Sequence, residues 1–131
     1  MAVDCTRVVF EIVSSDLNRS LEFYRLIGLD VPAAEGPHVE IVLPGGNTLA
    51  FDTEDTMAGM HPGWTPPRSA GRVALAFGVG APEQVDELYA VLTDAGHPGT
   101  LAPFDAPWGQ RYATVVDPDG ISVDLFAALS S

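Results

Sequence analysis

Basic residues are scarce in this chain of 131 residues, which has six Lys and Arg against 18 Asp and Glu and a formal net charge of −12. A protein that neutralises nucleic-acid phosphates, or that docks on an anionic membrane surface, needs clustered basic side chains. Six such residues cannot form a basic stripe, so we expect no nucleic-acid partner and no membrane partner. The acidic balance favours solubility and neutral or cationic ligands.

Cysteine and long apolar runs are also scarce. Cys5 is the only cysteine, so no disulfide can form within the chain. No apolar run approaches the roughly 20 residues that a helix needs to cross a bilayer. The first residues also lack a basic segment followed by an apolar stretch. We therefore expect a cytoplasmic protein.

One arrangement of elements occurs twice along the chain. Each half predicts a strand, a helix and three further strands, from β-branched runs and from apolar stripes at helical spacing. The two helices are predicted to end at Gly28 and Gly96, and the two later hairpins to turn at Gly46 and Gly120. Equivalent landmarks recur at nearly constant spacing, which indicates an internal duplication.

The length fits one domain, which we divide into a module over about 5–55, a linker over about 56–70 and a module over about 71–128. Pro and Gly are so frequent between Thr53 and Ala70 that we predict no regular structure there. The segment from Val31 to Gly36 is predicted to be an irregular connection or a short strand. The predicted class is α+β.

The second module ends in a hairpin. We predict a turn at Pro107-Trp108-Gly109, a strand from Arg111 to Val116, a tight turn at Asp117-Pro118-Asp119-Gly120 and a returning strand from Ile121 to Phe126. Asp, Pro and Gly each suit a different place in such a turn. The hairpin would carry an aromatic ring and a cation at its mouth.

The paired βαβββ arrangement resembles the vicinal-oxygen-chelate superfamily, which includes glyoxalase I, extradiol dioxygenases and bleomycin-resistance proteins. Local motifs are similar as well: Asp16-Leu17, Ser20-Leu21-Glu22-Phe23-Tyr24, Gly28-Leu29, Asp117-Pro118-Asp119-Gly120 and Val123-Asp124-Leu125-Phe126. The resemblance implies that two tandem modules form a curved mixed sheet around a cleft. It also implies a homodimer.

Within that superfamily the chain is most similar to the mitomycin-binding drug-resistance proteins. The segments that carry this likeness are Pro37-His38-Val39-Glu40, Gly45-Gly46, Leu49-Ala50-Phe51-Asp52-Thr53 and Trp108-Gly109-Gln110-Arg111-Tyr112-Ala113. The resemblance implies a protein that binds and sequesters a planar or aromatic small molecule, with antibiotics as a candidate class, rather than an enzyme.

Metal-dependent members of the superfamily place one ligand in each of four strands. The corresponding positions in this sequence are Val9, Ala50, Arg72 and Asp124. Val and Ala have no ligating atom, and Arg has no free lone pair at working pH, so only Asp124 could bind a metal. We therefore expect no metal and no other cofactor. If the repeat holds, Arg72 and Asp124 share a face, where they either pair with each other or present polar groups to a ligand.

Aromatic residues in Pro- and Gly-rich loops are harder to bury against the protein's own core, so they are candidates for stacking on a ligand. The predicted ligand contacts are His38, Phe51, Trp64, Arg72, Trp108, Tyr112 and Asp124. An alternative interpretation is that the two Trp residues fill gaps or cover a subunit interface.

Catalysis remains an alternative function. No nucleophile lies at a diagnostic spacing from a base, but Glu11 or Glu40 could serve as the base of a metal-independent, glyoxalase-like lyase or isomerase. The spacing of His38 and Glu40 places both on one strand face. Together with His61 they are the candidates for a metal site outside the superfamily positions, although a third ligand is not identifiable by spacing.

Overall fold

The computed structural model describes residues 5–67 and 73–129, which contain two mixed sheets and three helices. The predicted α+β class is confirmed. The chain divides into two compact units, residues 1–66 and residues 67–131. No helix among the described residues has the length and apolar character needed to cross a membrane.

Unit 1 contains β1 (Val9–Ser14), α1 (Leu17–Ile27), β2 (His38–Val42), β3 (Thr48–Thr53) and α2 (Glu54–Met60). Its sheet has the order β1-β3-β2, with β1 parallel and β2 antiparallel to β3. The strand runs are rich in β-branched residues, which suit a pleated surface. The parallel pair is possible because α1 supplies the crossover connection.

Helix α1 begins and ends where the sequence predicts. The Asp16 carboxylate accepts a hydrogen bond from the Arg19 N–H at 3.2 Å, which satisfies one unpaired donor of the first turn. Gly28 ends the helix at a φ of 106°, a left-handed conformation that glycine adopts without steric cost. Tyr24 of α1 packs on Phe51 of β3, with ring centroids 5.3 Å apart and both side chains fully buried.

Unit 2 contains β4 (Ala74–Gly78), α3 (Pro82–Asp94), β5 (Gly99–Ala106), β6 (Gln110–Val116) and β7 (Ser122–Ala128). Its sheet has the order β4-β7-β6-β5, in which β4 is parallel to β7 and the other pairs are antiparallel. Strand β5 has eight residues and is longer than the short segment that the sequence indicated.

One face of the unit 2 sheet packs on α3. Val115, Val123 and Leu125 point to this face and are fully buried with Val85 and Leu92 of the helix. Because successive side chains of a strand point to opposite faces, the residues between them lie on the other face. Those residues are half-buried, and they include two of the predicted ligand contacts, Tyr112 and Asp124.

The prediction of no regular structure between Thr53 and Ala70 is wrong for its first part, while residues 68–70 lie outside the described residues. Helix α2 forms because Thr53 caps it, its hydroxyl accepting a hydrogen bond from the Thr56 N–H at 3.1 Å. The five residues 54–58 contain neither Gly nor Pro. The breakers that dominate the segment begin only at Gly59, so they shorten this helix without preventing it.

The first half differs from the second in the segment before its hairpin, where the irregular form is the one of the two predicted alternatives that the structure has. Among the described residues of unit 1 only two strands follow α1, because the segment from Val31 to Gly36 is irregular. Pro32 has no N–H to donate to a strand partner, and the Ala and Gly residues that follow have low strand propensity.

The tight turn between β6 and β7 is confirmed, and one side chain organises it. The Gly120 N–H donates to the Asp117 carbonyl at 3.1 Å. The Asp117 carboxylate also accepts hydrogen bonds from the N–H groups of Asp119 and Ile121, each at 2.8 Å. Asp117 is buried, so these donors would lose their acceptor in a dry environment if the carboxylate were removed.

We predict that Asp117→Ala lowers the free energy of unfolding by about 1–3 kcal/mol, because it leaves two turn N–H groups without an acceptor. Asp117→Asn keeps an acceptor oxygen at the same place and is expected to cost less. Urea unfolding followed by circular dichroism measures both. Equal losses in the two variants would contradict the assignment of this role to the side-chain oxygen.

Candidate ligand-binding site

The face of the unit 2 sheet opposite α3 brings together aromatic and polar side chains from three strands. The pairing of β6 with β7 sets Tyr112 opposite Phe126 and Thr114 opposite Asp124. The pairing of β5 with β6 sets Phe104 opposite Tyr112. Directly paired residues of neighbouring strands share a face. We refer to the resulting group as the β6–β7 surface: Phe104, Trp108, Tyr112, Thr114, Asp124 and Phe126.

A carboxylate held by two hydroxyl groups lies within this surface. The Tyr112 hydroxyl donates to Asp124 Oδ2 at 2.6 Å, and the Thr114 hydroxyl donates to Asp124 Oδ1 at 2.8 Å. The hydrogen bond to Asp124, followed by burial, raises the pKa of Tyr112 to about 12. The phenol therefore stays protonated at neutral pH and remains a donor.

Three aromatic rings meet beside the carboxylate. The Trp108 ring centroid lies 5.3 Å from that of Tyr112 and 6.2 Å from that of Phe104, with both pairs close to perpendicular. Edge-to-face packing of this kind is favourable and fixes ring orientation. The Trp108 indole N–H also donates to Gln110 Oε1 at 2.9 Å. Trp108 is nevertheless 59% exposed, so a large apolar surface is held in one orientation while open to solvent.

The ring of Phe126 lies against the backbone of β4. A Cβ atom at Gly78 would stand 3.0 Å from Phe126 Cζ, closer than side chains normally approach. Because Gly78 has no side chain, the Phe126 ring has room to lie over the backbone of β4, beside Tyr112.

The cation that we predicted at the mouth of the hairpin is engaged elsewhere. Arg111 binds both carboxylate oxygens of Asp86 on α3 at 2.9 Å and one oxygen of Asp105 at 3.1 Å. These carboxylates, Asp86 first, raise the pKa of the guanidinium further above its ordinary value. Arg111 thus ties β6 to α3 and β5 and does not present a free charge to the β6–β7 surface.

Unit 1 carries a second polar cluster, formed by alternating charges. His38 Nδ1 lies 2.6 Å from Asp52 Oδ1, and His38 Nε2 lies 2.9 Å from Glu40 Oε2. Arg7 in turn donates to Glu40 Oε1 at 2.8 Å. The predicted placement of His38 and Glu40 on one strand face is confirmed. Hydrogen bonds to Glu40 and then to Asp52 raise the pKa of His38, since both ring nitrogens face carboxylates.

This cluster does not favour a glutamate base. Hydrogen bonds from His38 and Arg7 lower the pKa of Glu40, and a carboxylate with a lowered pKa is a weaker proton acceptor. Glu11 lies beside Ala50 in the same sheet and is exposed. His38 and Glu40 also line a pocket of about 320 Å³ with Pro32, Ala33, Glu35 and Val39. No Phe, Tyr or Trp side chain is among the residues that line this pocket, so the β6–β7 surface offers more aromatic area for stacking.

The remaining predicted contacts have different positions. Phe51 is fully buried against Tyr24, so it is a core residue of unit 1 and cannot touch a ligand in this conformation. The alternation of side chains along a strand does not reveal which face of the strand the helix covers. For this reason Phe51 was predicted to contact a ligand. Trp64 is half-buried in unit 1, and its backbone N–H donates to the His61 carbonyl at 3.0 Å. Arg72 lies outside the described residues.

Three members of the β6–β7 surface, Phe104, Thr114 and Phe126, are missing from the predicted ligand contacts. Thr114 is the polar one. It follows Tyr112 by two positions and precedes the buried Val115, so period-two alternation already placed it on the face of Tyr112. The sequence did not reveal the pairing register of β6 with β7, which sets Thr114 opposite Asp124.

Residues 6–125 match the Glyoxalase/Bleomycin resistance protein/Dioxygenase superfamily. The chain belongs to this superfamily. No curated protein sequence matches it. Among solved structures, it is similar to a glyoxalase/bleomycin resistance protein/dioxygenase from Nocardioides, with 24% identity, coverage of 100% of this chain and 88% of that one, and a TM-score of 0.74.

Two further solved structures resemble the chain. A glyoxalase-related enzyme from Fulvimarina pelagi is 23% identical over 95% of this chain and 88% of its own, with a TM-score of 0.79. A glyoxalase/bleomycin resistance protein/dioxygenase family enzyme from Burkholderia phytofirmans PsJN is 20% identical over 92% of this chain and 97% of its own, with a TM-score of 0.79. At these identities the likeness establishes the fold.

The residues at the superfamily's metal positions do not fit a metal ion. Val9 and Ala50 have no ligating atom, and Asp124 already accepts hydrogen bonds from Tyr112 and Thr114. Within residues 5–67 and 73–129, no three His, Cys, Asp or Glu side chains are grouped so that they could hold a metal ion. The same statement applies to His38, Glu40 and His61, which the sequence suggested as candidates for a metal site.

We predict that His38 makes the stability of the protein depend on pH. Its pKa is higher in the folded chain than in the unfolded chain, so the folded state gains stability from the bound proton. This contribution is complete below about pH 6.5 and is lost as the pH rises through the folded-state pKa of His38. Urea unfolding between about pH 6 and about pH 9 measures the decline.

His38→Gln is expected to flatten this decline. Substitution of the exposed His61 by Gln controls for loss of an imidazole as such and should keep the profile of the parent chain. If His38→Gln and the parent chain lost stability in parallel over this range, the histidine would not be the titrating group.

Proposed function

We propose that this protein binds and sequesters a planar or aromatic small molecule at the β6–β7 surface, with antibiotics as the first class to test. The observation that carries the proposal is Trp108, a ring that is 59% exposed yet fixed by two perpendicular aromatic neighbours and a hydrogen bond. An exposed apolar surface that is held rigidly has already lost its conformational entropy, so a ligand that covers it gains more.

The chemistry of the surface suits recognition better than turnover. Stacking on an aromatic ring contributes about 0.5–1.5 kcal/mol beyond the burial of area. Asp124, Thr114 and the Tyr112 hydroxyl supply polar groups in a fixed arrangement. A small number of polar groups within an apolar surface is typical of sites that orient small ligands.

The superfamily context supports this proposal in general terms, because its name includes bleomycin resistance proteins. Arg72, Trp64 and His38 remain proposed ligand contacts on the basis of the sequence alone. A homodimer in the cytoplasm also remains part of the proposal, and the molar mass in solution, measured by light scattering, tests the dimer.

Tryptophan fluorescence gives a direct assay once the second Trp is removed. In a Trp64→Phe background Trp108 is the remaining Trp, so its quenching reports on the β6–β7 surface, and calorimetry on the parent chain measures binding with Trp64 in place. We expect at least one member of a panel of mitomycin-like, quinoxaline and glycopeptide drugs to quench this emission saturably and to release heat in calorimetry.

We predict that Trp108→Ala, assayed by calorimetry, weakens binding of that compound about 10-fold, which corresponds to about 1.4 kcal/mol. Val91→Ala truncates another exposed apolar side chain, on α3, and should leave the affinity unchanged. Absence of binding across the panel, together with no drug resistance on expression, would refute sequestration of these classes.

A further inference from the structure

We propose that the ligand of the β6–β7 surface is a planar organic cation whose positive charge is neutralised by Asp124. This inference rests on the proposed function, because it assumes that the surface is the binding site. It adds the charge of the ligand and names the residue that selects for it.

The first argument is that the carboxylate of Asp124 has polar partners but no counter-ion among residues 5–67 and 73–129. Its two oxygens accept hydrogen bonds from the Tyr112 and Thr114 hydroxyls, which are neutral. None of the ion pairs in this part of the chain includes Asp124. The two donors orient the negative charge and lower its energy without cancelling it.

The second argument is that the cation predicted at the mouth of the hairpin is already ion-paired. Arg111 is saturated by Asp86 and Asp105, and the neighbouring position on the Asp124 face is Thr114. On β4 the residue paired with Asp124 is Ala76, which has no polar side-chain atom. Every described side chain set directly beside Asp124 across the sheet is therefore uncharged.

The third argument is that the carboxylate lies next to aromatic rings. Tyr112 contacts Asp124 through its hydroxyl and Trp108 through its ring, so the negative charge and the exposed aromatic surface are joined by one side chain. Cations are attracted to the faces of Trp and Tyr rings. A delocalised cation can stack and be neutralised at once, whereas a planar anion would meet an uncompensated carboxylate.

The net charge of the whole chain also favours a cationic ligand. With a formal net charge of −12, the protein raises the local concentration of cations and repels anions. Asp124 is half-buried rather than enclosed, so a ligand reaches it without full desolvation of the carboxylate.

A matched pair of probes tests the proposal on the unmodified chain. N-methylacridinium carries a permanent positive charge, and acridine has the same ring system but is neutral in weakly alkaline buffer. We expect the cation to bind about 10-fold more tightly at low salt. Added salt should reduce this advantage, since it screens the ion pair, while the affinity for acridine stays nearly constant.

Asp124→Asn identifies the carboxylate responsible. It should remove the preference for N-methylacridinium and change the affinity for acridine by less than about threefold. Asp94→Asn is the matched control, because it changes the net charge equally at the exposed end of α3. Should Asp124→Asn fail to fold, the probe pair and its salt dependence on the parent chain still decide whether the site prefers a cation.

The outcomes separate this inference from the proposed function. If neither probe nor the drug panel binds, the proposed function fails and the inference fails with it. If both probes bind equally, the surface is a site for planar molecules but the charge selection is refuted; an ion pair between Arg72 and Asp124 would give this result. An equal loss of preference in Asp94→Asn would assign the effect to net charge and overturn the role of Asp124.

Discussion

The alternation of side chains along paired strands is the constraint on which the rest of this structure depends. In unit 2 the positions that bury Val115, Val123 and Leu125 against α3 oblige the intervening residues to face the other way. The position of the β6–β7 surface is therefore a consequence of how the core forms. A shift of one residue in the pairing of β6 with β7 would exchange core and site together, so the packing against α3 also fixes the position of Asp124.

The two units use equivalent strand positions for different purposes. Ala50 of β3 and Asp124 of β7 each lie between a parallel neighbour and an antiparallel partner, which is Glu40 in unit 1 and Thr114 in unit 2. In unit 1 the charged cluster joins His38 and Glu40 of the partner strand β2 to Arg7 and to Asp52 of β3, and its formal charges balance when His38 is protonated. In unit 2 the charge is on the central strand and is met by neutral hydroxyls. Among the described residues, the two units thus contain one cluster of mutually paired charges and one carboxylate whose hydrogen-bond donors are neutral hydroxyls.

Local signals in the sequence were sufficient where a short segment decides its own structure. The cap at Asp16 and the turn around Asp117 were predicted because the hydrogen bonds that define them join residues close in sequence. Helix α2 was missed because the density of Pro and Gly in the whole segment outweighed the cap at Thr53. The burial of Phe51 and the contact between Thr114 and Asp124 depend on which face a helix covers and on register, and neither is encoded locally.

The exposure of Trp108 has a consequence for colloidal behaviour. A large ring open to water, with Val42 and Val73 also more than two-thirds exposed, gives molecules of this protein apolar surface through which to associate. The acidic net charge opposes that association by mutual repulsion over a distance of about 10 Å at moderate salt and about 3 Å at 1 M. Salt that shortens this repulsion also strengthens apolar contact when its ions are excluded from the surface. The scarcity of basic residues thus also keeps molecules with an exposed aromatic surface apart.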